Sequence, residues 1–341
     1  MDYKRSLGSQ WSNQLRGEQL ILVFNRDQIA EVIRLDQNLV KSIEQAFASL
    51  ATKKIELPPI MRIDIPEHNG EVDIKSAYVQ GEDSFAVKIS SGFFNNPEIG
   101  LPSSGGMMIL LSAKTGTPQA VLSDHGLLTD LRTAAAGAVS AKYGSRRDSR
   151  IAGMIGTGAQ ARLQLEALTL VRPIERVYVY GRSKEKAEIY KEDIERSLGL
   201  HVVICDHPEA VAEFSDILVT TTPAVSPLVD GNWLKPGVHI TAMGSDAEHK
   251  KELDNSVLER ADVIFCDVLD QSLRLGELRG AEDHILEKTM ELGQVITGQQ
   301  QGRTHESQIT LCDLTGTGIQ DTAIARHVYP LLLSKEELKN E

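Results

Sequence analysis

Apolar residues recur along this chain with two different periods, and the alternation of the two divides it. From Asp36 to Ala51 the residues Val40, Ile43, Phe47 and Leu50 share one face at helical spacing. Short runs with strand character follow: Ile60–Ile65, Glu71–Tyr78, Phe85–Ser90, Met107–Ser112 and Gln119–Ser123, after an earlier one at Leu20–Phe24. The last two flank AKTGTP (Ala113–Pro118), a hairpin turn signal. The Gly/Pro/Asn-rich stretch between Ser91 and Gly106 predicts a loop. This part predicts an antiparallel α+β unit.

The pattern then changes. TDLRTAAAGAVSAKY (Thr129–Tyr143) predicts a long helix with Thr129 as its N-cap. Beyond a polar loop at Gly144–Arg150, strands and helices alternate. The strands are the run opening at Ile151, then Arg176–Tyr180, His201–Cys205, Ile217–Thr220, Val238–Ala242, Val263–Cys266 and Ile309–Leu314. Such alternation predicts a parallel sheet covered on both faces. Asp321–His327 returns as a helix before a charged tail. The fold class expected is α/β: a Rossmann-type dinucleotide-binding domain at 131–315, and a discontinuous α+β substrate and dimerisation domain at 1–130 and 316–341. The active site is expected in the cleft between them.

IAGMIGTGAQA (Ile151–Ala161) carries the spacing G-x-G-x-x-A on Gly156, Gly158 and Ala161. The first glycine permits a tight strand-to-helix turn. The second lets backbone approach a pyrophosphate, and the small third residue lets helix and strand close up. A strand before and a helix after are the context this motif needs. The second strand ends Tyr180-Gly181-Arg182-Ser183, without the carboxylate that holds ribose hydroxyls in NAD sites. Arg182 and Ser183 suit a 2′-phosphate instead, so NADP(H) is the expected cofactor, with NAD(H) as the alternative. A merely solvated Arg182 is the plainer reading.

Composition changes this picture little. The 341 residues are 41% hydrophobic and 25% charged, with a net charge of −12 and no basic block. Two domains are expected, and nucleic acid is not expected as a partner. Three dispersed cysteines and nine histidines without metal-ligand spacing predict neither disulfides nor a metal site. The opening residues MDYKRSLGSQW lack an apolar signal core, and no run reaches membrane-spanning length. A cytoplasmic, metal-free protein is the expectation.

Cations inside apolar runs are the next candidates. Arg62 follows Met61 in a strand run. Lys88 alternates with Phe85, Val87 and Ile89 and shares its face with Ser84, Ala86 and Ser90, small neighbours that leave room for a ligand. Arg132 lies in the first turn of the Thr129 helix. Converged, these three would hold a carboxylate; singly, each reads as a surface charge. Asp246 follows the strand ending at Ala242, at the carboxyl edge where such sheets bind ligands. It is either an acid/base group or the N-cap of a following helix.

Together these segments resemble the ornithine cyclodeaminase/mu-crystallin family over about Val23–His327. The motifs are Ala86-Val87-Lys88, Gly100–Ser103 (GLPS), Leu128–Ala135 (LTDLRTAA), Gly156–Ala161 (GTGAQA), Gly244-Ser245-Asp246 and Asp313–Asp321 (DLTGTGIQD). The branch most alike is that of ectoine-utilisation cyclodeaminase-like proteins. The resemblance implies a homodimer joined through the sheets of the first domain. It implies that Arg62, Lys88 and Arg132 hold the substrate carboxylate and that Asp246 is the catalytic acid/base, with Lys88 beside the reacting centre. For the cofactor it implies Ser103, Arg132, Thr133, Gly156, Thr157, Gly158, Ala159, Gln160, Thr220 or Thr221, Ala242, Met243, Gly244, Lys250 and Thr315.

Two departures point away from ornithine as substrate. The strand ends in Gly181-Arg182 where ornithine cyclodeaminases have Asp, and Lys75 stands where they have Glu. The function expected from the resemblance is NAD(P)H-dependent reduction of a small 2-imino acid, or the reverse dehydrogenation. Redox-neutral cyclodeamination is one alternative; a cofactor-dependent binding protein is another. By alternation Lys75 shares a face with Asp73 and Ala77. It is expected either to bind a second, distal carboxylate of the substrate or to form a surface ion pair.

Overall fold

A computed structural model describes residues 21–340; the reading of the first eleven residues lies outside them. The amino-terminal part runs β1 (Leu22–Asn25), α1 (Arg26–Val32), α2 (Gln37–Thr52), β2 (Ile55–Glu56), β3 (Met61–Ile65), β4 (Gly70–Val79), β5 (Ser84–Phe93), β6 (Ser104–Ser112), β7 (Pro118–Ser123) and α3 (Leu127–Gly144). Strands β4 to β7 form an antiparallel meander, with β1 parallel on β7 and both β2 and β3 on β4.

The second part continues β8 (Ile151–Ile155), α4 (Ala159–Thr169), β9 (Arg176–Tyr180), α5 (Lys184–Leu198), β10 (His201–Ile204), α6 (Pro208–Phe214), β11 (Ile217–Thr220), β12 (His239–Ala242), α7 (Asn255–Arg260) and β13 (Val263–Cys266). It ends with α8 (Leu269–Leu275), α9 (Asp283–Leu286), β14 (Thr289–Glu291), α10 (Leu292–Ile296), β15 (Thr310–Asp313) and α11 (Gly318–Asn340). Its eight strands are all parallel, in the order β10-β9-β8-β11-β12-β15-β13-β14. Chain order reverses between β8 and β11, which opens a ligand crevice at the carboxyl ends of those strands.

The two parts share a core. Phe47, Leu110, Val139, Phe265 and Leu314 belong to one buried cluster. Helix α3 packs on α2 and α11 on one side and on α4, β12 and β15 on the other. Gly137 permits this approach, since a Cβ there would strike the Gln164 side chain.

Several boundaries differ from the sequence reading, each for a physical reason. Helix α3 starts two residues before Thr129. Gly126 adopts a left-handed conformation (φ 89°) as its N-cap, and the Asp124 carboxylate accepts from Leu128 N at 2.7 Å, so Thr129 lies inside the helix. Strands β5 and β6 extend past Ser90 and ahead of Met107, because their pairing continues to Gly92 opposite Ser104. The last helix begins at Gly318 and runs through the charged tail, because it packs along α1 and α2, and Lys335 pairs with Glu31.

The small residues beside Lys88 make room for α11, not for a ligand. Ala86 N donates to Thr322 Oγ1 at 3.0 Å, and a side chain at Gly318 would strike the Ser76 carbonyl. The opposite face of this sheet, with Val72, Ile74, Phe85, Val87 and Ile89 half-buried and Met61, Ile63 and Met107 exposed, carries no covering layer among the described residues.

Candidate active site

The glycine loop builds one wall of the crevice. Gly156 sits at φ 120°, and a Cβ there would lie 2.6 Å from Thr221 Oγ1. Gly181 similarly admits Thr157, so the end of β9 packs onto the loop. Gly158 is the N-cap of α4, no side chain caps that helix, and a Cβ at Gly158 would meet nothing within 4 Å. Free amides facing open space at a helix N-terminus are what a dinucleotide pyrophosphate requires, so the residues present fit the group. Arg162 braces the loop from behind, donating to Thr157 O at 2.6 Å and to Asp193.

Arg182 is exposed at the end of β9 and has no ion pair among the described residues. Ser183 caps α5, its hydroxyl accepting from Lys186 N at 3.2 Å. Thr220 is fully buried and gives its hydroxyl to Glu252 rather than to the crevice. Ser103 lies in the loop before β6, and Ala242 ends β12 and is buried; neither lines the pocket that Met243 borders.

A pocket of about 190 Å³ brings together Lys75, Arg132, Thr133, Gln160, Met243, Asp246 and Thr315. These come from β4, α3, the glycine loop, the end of β12 and the loop after β15. Gln160 ties the glycine loop to α3 by donating to Asp130 Oδ1 at 2.9 Å. Lys75 Nζ donates to Gly316 O at 3.3 Å, is buried, and forms no carboxylate pair among the described residues, so it is not the surface ion pair of the alternative reading.

Lys88 lies directly opposite Lys75 in the β4–β5 register but does not line the pocket; it is 1% exposed. Its ammonium is 3.0 Å from Asp321, and Arg132 Nε lies 3.0 Å from the same carboxylate as an ion pair. Burial, reinforced by the nearby Arg132 and Lys75 charges and opposed by Asp321, brings Lys88 down to about 7. Burial pushes the Asp321 carboxyl up, but Lys88, Arg132 and Lys75 outweigh it and hold its pKa below the ordinary value. Lys75, Lys88 and Arg132 thus meet at Asp321, and Lys75 and Arg132 also border the pocket, where they can take an anionic ligand opposite Asp130 and Asp246.

Arg62 stands apart from this group. It is held by Asp64 and Glu71, with Asp73 at 3.6 Å, and lines a neighbouring pocket of about 400 Å³ on the far side of Asp246. Three carboxylates therefore already surround the guanidinium expected to take a substrate carboxylate.

Asp246 lines both pockets, and no helix starts behind it; the next one, α7, is capped by Asp254. The capping alternative is thereby removed. Its carboxylate accepts from Lys250 Nζ at 2.6 Å. Desolvation raises its pKa, but the Lys250, Lys75 and Arg62 charges prevail and keep it below the usual carboxylate range. Asp246 is thus ionised at neutral pH, suited to hold a positive charge or accept a proton.

Sequence reasoning named no role for Asp321, Gln320, Asp267 or Glu252. Gln320 accepts from Arg132 Nη1 at 2.9 Å. Asp267 accepts from Gly316 N at 2.7 Å and Thr315 Oγ1 at 2.9 Å, fixing the loop that receives Lys75. The only advance signal was the acid at the end of the DLTGTGIQD run. No group of metal-ligating side chains occurs among the described residues, and none of their helices is long and apolar enough to cross a membrane.

With this geometry in place, the family model for ornithine cyclodeaminase/mu-crystallin matches residues 21–336. The chain belongs to that family. An uncharacterized cyclodeaminase of Sinorhizobium fredii is 50% identical over 308 residues, 89% of this chain and 93% of that one. The solved Δ1-pyrroline-2-carboxylate reductase of Thermococcus litoralis, bound to NADH and L-proline, superposes with a TM-score of 0.85 at 30% identity, covering 93% of this chain and 98% of that one. The iminosuccinate reductase of Paracoccus denitrificans, bound to NAD+, gives 0.85 at 31% identity, with 93% and 98% covered. The Rossmann-type sheet with its glycine loop is thus shared with proteins solved with a bound nicotinamide dinucleotide.

Proposed function

We propose that this protein reduces a small 2-imino acid to the 2-amino acid with NADPH, or runs the reverse dehydrogenation. The observation that carries the reading is the 190 Å³ pocket in which Lys75 and Arg132 face Asp246 beside the glycine loop. When bound, the nicotinamide supplies or takes the hydride. The chain's own residues do the rest. Arg132 fixes the carboxylate and is itself held by Asp321 and Gln320. Asp246, ionised beside Lys250, stabilises the protonated imine nitrogen and orders its proton. Gly156 to Gln160 cover the pyrophosphate. Arg182 takes the 2′-phosphate, supported by its exposure and lack of an internal partner. The two reductases reported above, both acting on imino acids, support the reaction class.

Lys75 deepens the reading. Only one of its three N–H donors has a partner among the described residues. The others can take a distal carboxylate or polar group, whereas a substrate ammonium would be repelled. The uncovered apolar face of the first sheet supports a homodimer joined there. Ile63→Asp with Val87→Asp is expected to yield a monomer in sedimentation analysis; an unchanged assembly, or a wild-type monomer, removes that proposal.

The experiment is a scan of 2-keto acids with ammonia or methylamine, and of cyclic imines, with NADPH and NADH. A net change in nicotinamide absorbance with an imino acid supports reduction. Ammonia release from a diamino acid without that change favours redox-neutral cyclodeamination, the reading that the Sinorhizobium relative's name suggests. Background rates throughout favour a cofactor-dependent binding protein. For Lys75, the selective outcome is a higher KM for an iminosuccinate-like diacid than for a pyruvate-derived imine in Lys75→Ala. An unchanged ratio, or brisk wild-type turnover of ornithine, defeats it.

A further inference from the structure

Glu252 is fully buried in the second part of the fold, outside the pocket just described. Its two oxygens accept four hydrogen bonds. Oε2 receives Thr220 Oγ1 at 2.5 Å and Gly244 N at 2.9 Å. Oε1 receives Thr222 N at 2.6 Å and Thr222 Oγ1 at 2.7 Å. The first pair joins the end of β11 to the turn after β12, and the second fixes the chain leaving β11. Only a glycine fits at 244, because a Cβ there would strike the Thr222 carbonyl and lie 2.5 Å from Glu252 Oε2.

The loop that leaves Gly244 carries Asp246 and Lys250 and returns at Glu252. Ser245 Oγ donates to Lys250 O at 2.8 Å, and Arg279 donates to Ala247 O at 2.9 Å and to Lys250 O. Both ends of the loop thus converge on one carboxylate. Glu252 is itself positioned: Glu277 accepts from its backbone N at 2.8 Å and from Leu253 N at 3.2 Å.

We propose that Glu252 is a positioning residue whose ionised carboxylate clamps the carboxyl ends of β11 and β12 and so sets the place of Asp246 and of the nicotinamide-facing edge. The proposal rests on the imino-acid reductase reading for its catalytic meaning, but the clamp acts on cofactor binding as well. Each oxygen accepts from a backbone N–H that cannot reverse its role. Protonation of either oxygen therefore leaves only a threonine hydroxyl to rotate and accept, and weakens one arm of the clamp. The charged groups around Glu252 are Glu277 behind it, Lys251 near Glu277, Arg279 across the loop, and Lys250 paired with Asp246. Burial raises the Glu252 pKa most, the Thr220 and Thr222 donors oppose this, and the Glu277 charge adds to it, leaving it at about 7. The clamp is thus expected to loosen as pH falls through neutrality.

The test uses two flanking variants, because Glu252→Gln opposes an amide N–H2 to a backbone N–H and risks misfolding. Thr220→Val removes a donor to the carboxylate and moves its titration to higher pH. Glu277→Met removes a like charge, sets no donor against the Glu252 and Leu253 N–H groups, and moves it to lower pH. NADPH affinity is measured from nicotinamide fluorescence between pH 5.5 and 9, and kcat over the same range with an imino acid that the scan identifies. Melting of each unliganded variant confirms folding. The expected result is an acid limb near neutrality in both profiles, displaced in opposite directions in the two variants, with affinities at pH 6.5 that differ by about threefold or more. Profiles that superimpose on wild type, or that move together, overturn the role of Glu252. If the binding limbs move apart while no imino acid is reduced, the clamp stands and the reaction reading fails. If reduction is found but neither limb moves, the reverse holds.

Discussion

Replacing Asp321 by Asn tests how the cleft's cations are held. The carboxylate is fully buried between Lys88 Nζ at 3.0 Å and Arg132 Nε at 3.0 Å. Asn preserves volume and an acceptor oxygen but leaves two buried cations without a counter-charge. Removing one partner of such a pair costs roughly 3–5 kcal/mol, on the order of 10 °C in Tm. The loss depends on pH in a defined sense. Lys88 has been brought down to about 7 with Asp321 present, and removing Asp321 lowers it further. Just below pH 7 the wild type binds a proton at Lys88 that the variant does not. The stability gap therefore widens as pH falls from 7 towards 5, by at most about 1.4 kcal/mol per unit, and is flat from 7 to 9. Urea unfolding across pH 5–9, with tryptophan fluorescence as the signal, measures this at constant m. Parallel wild-type and variant profiles between pH 5 and 9 would show that Lys88 does not titrate against Asp321. A loss below about 1 kcal/mol would deny that the pair is a buried one.

Other substitutions separate the parts of the site. Arg182→Ala is expected to weaken NADPH on the order of tenfold while sparing NADH, as nicotinamide fluorescence titrations would show; equal losses remove Arg182 as the 2′-phosphate ligand. Asp246→Asn should lower kcat by about a hundredfold or more with little change in Tm, because Asp246 caps no helix and its side chain is 41% exposed. Full activity, or inactivity through unfolding, defeats that assignment. Gly158→Ala places a methyl in the open space over the α4 amides at an ordinary φ of −81°, so folding should survive while cofactor affinity falls tenfold or more. Unchanged dinucleotide affinity would remove the pyrophosphate from that space.

Legibility in the sequence followed the range of each interaction. The glycine loop was readable because strand, turn and helix are contiguous and their chemistry is local to Gly156–Ala161. Strand alternation correctly put Lys75 and Lys88 on one face, yet gave the wrong reason for the small residues beside Lys88. The helix that fills that space begins at Gly318, more than 200 residues later, and no local pattern announces its arrival. Glu252 was invisible for the same cause, and Asp321 showed only as the last residue of the DLTGTGIQD run. Each is one acid among 48 in the sequence, and its role is made by donors from α3, β5, β11 and β12 that only the tertiary fold assembles. Thr129 misled because a good capping residue lies within a turn of a better solution, a left-handed glycine with Asp124 reaching Leu128.

The pairing of Lys75 with Lys88 across β4 and β5 separates two roles that the sequence had merged. Both lysines point to the buried face, but only Lys75 borders the pocket. Lys88 is closed off by α11 and spends its charge on Asp321, so its influence on a ligand passes through Arg132 and the local field. Loss of Lys75 should therefore act on KM in a way that depends on the substrate's distal group. Loss of the Lys88 charge should act on all carboxylate substrates alike and fade above pH 7, where wild-type Lys88 is itself losing its proton. Comparing Lys75→Met with Lys88→Met at pH 6 and pH 9, on one monocarboxylic and one dicarboxylic imine, resolves the two. A substrate-selective defect belongs to the first, and a uniform defect that shrinks at high pH to the second. If both variants give the same pattern, the two ammonium groups act on the ligand as one, and the burial of Lys88 behind α11 carries no functional distinction.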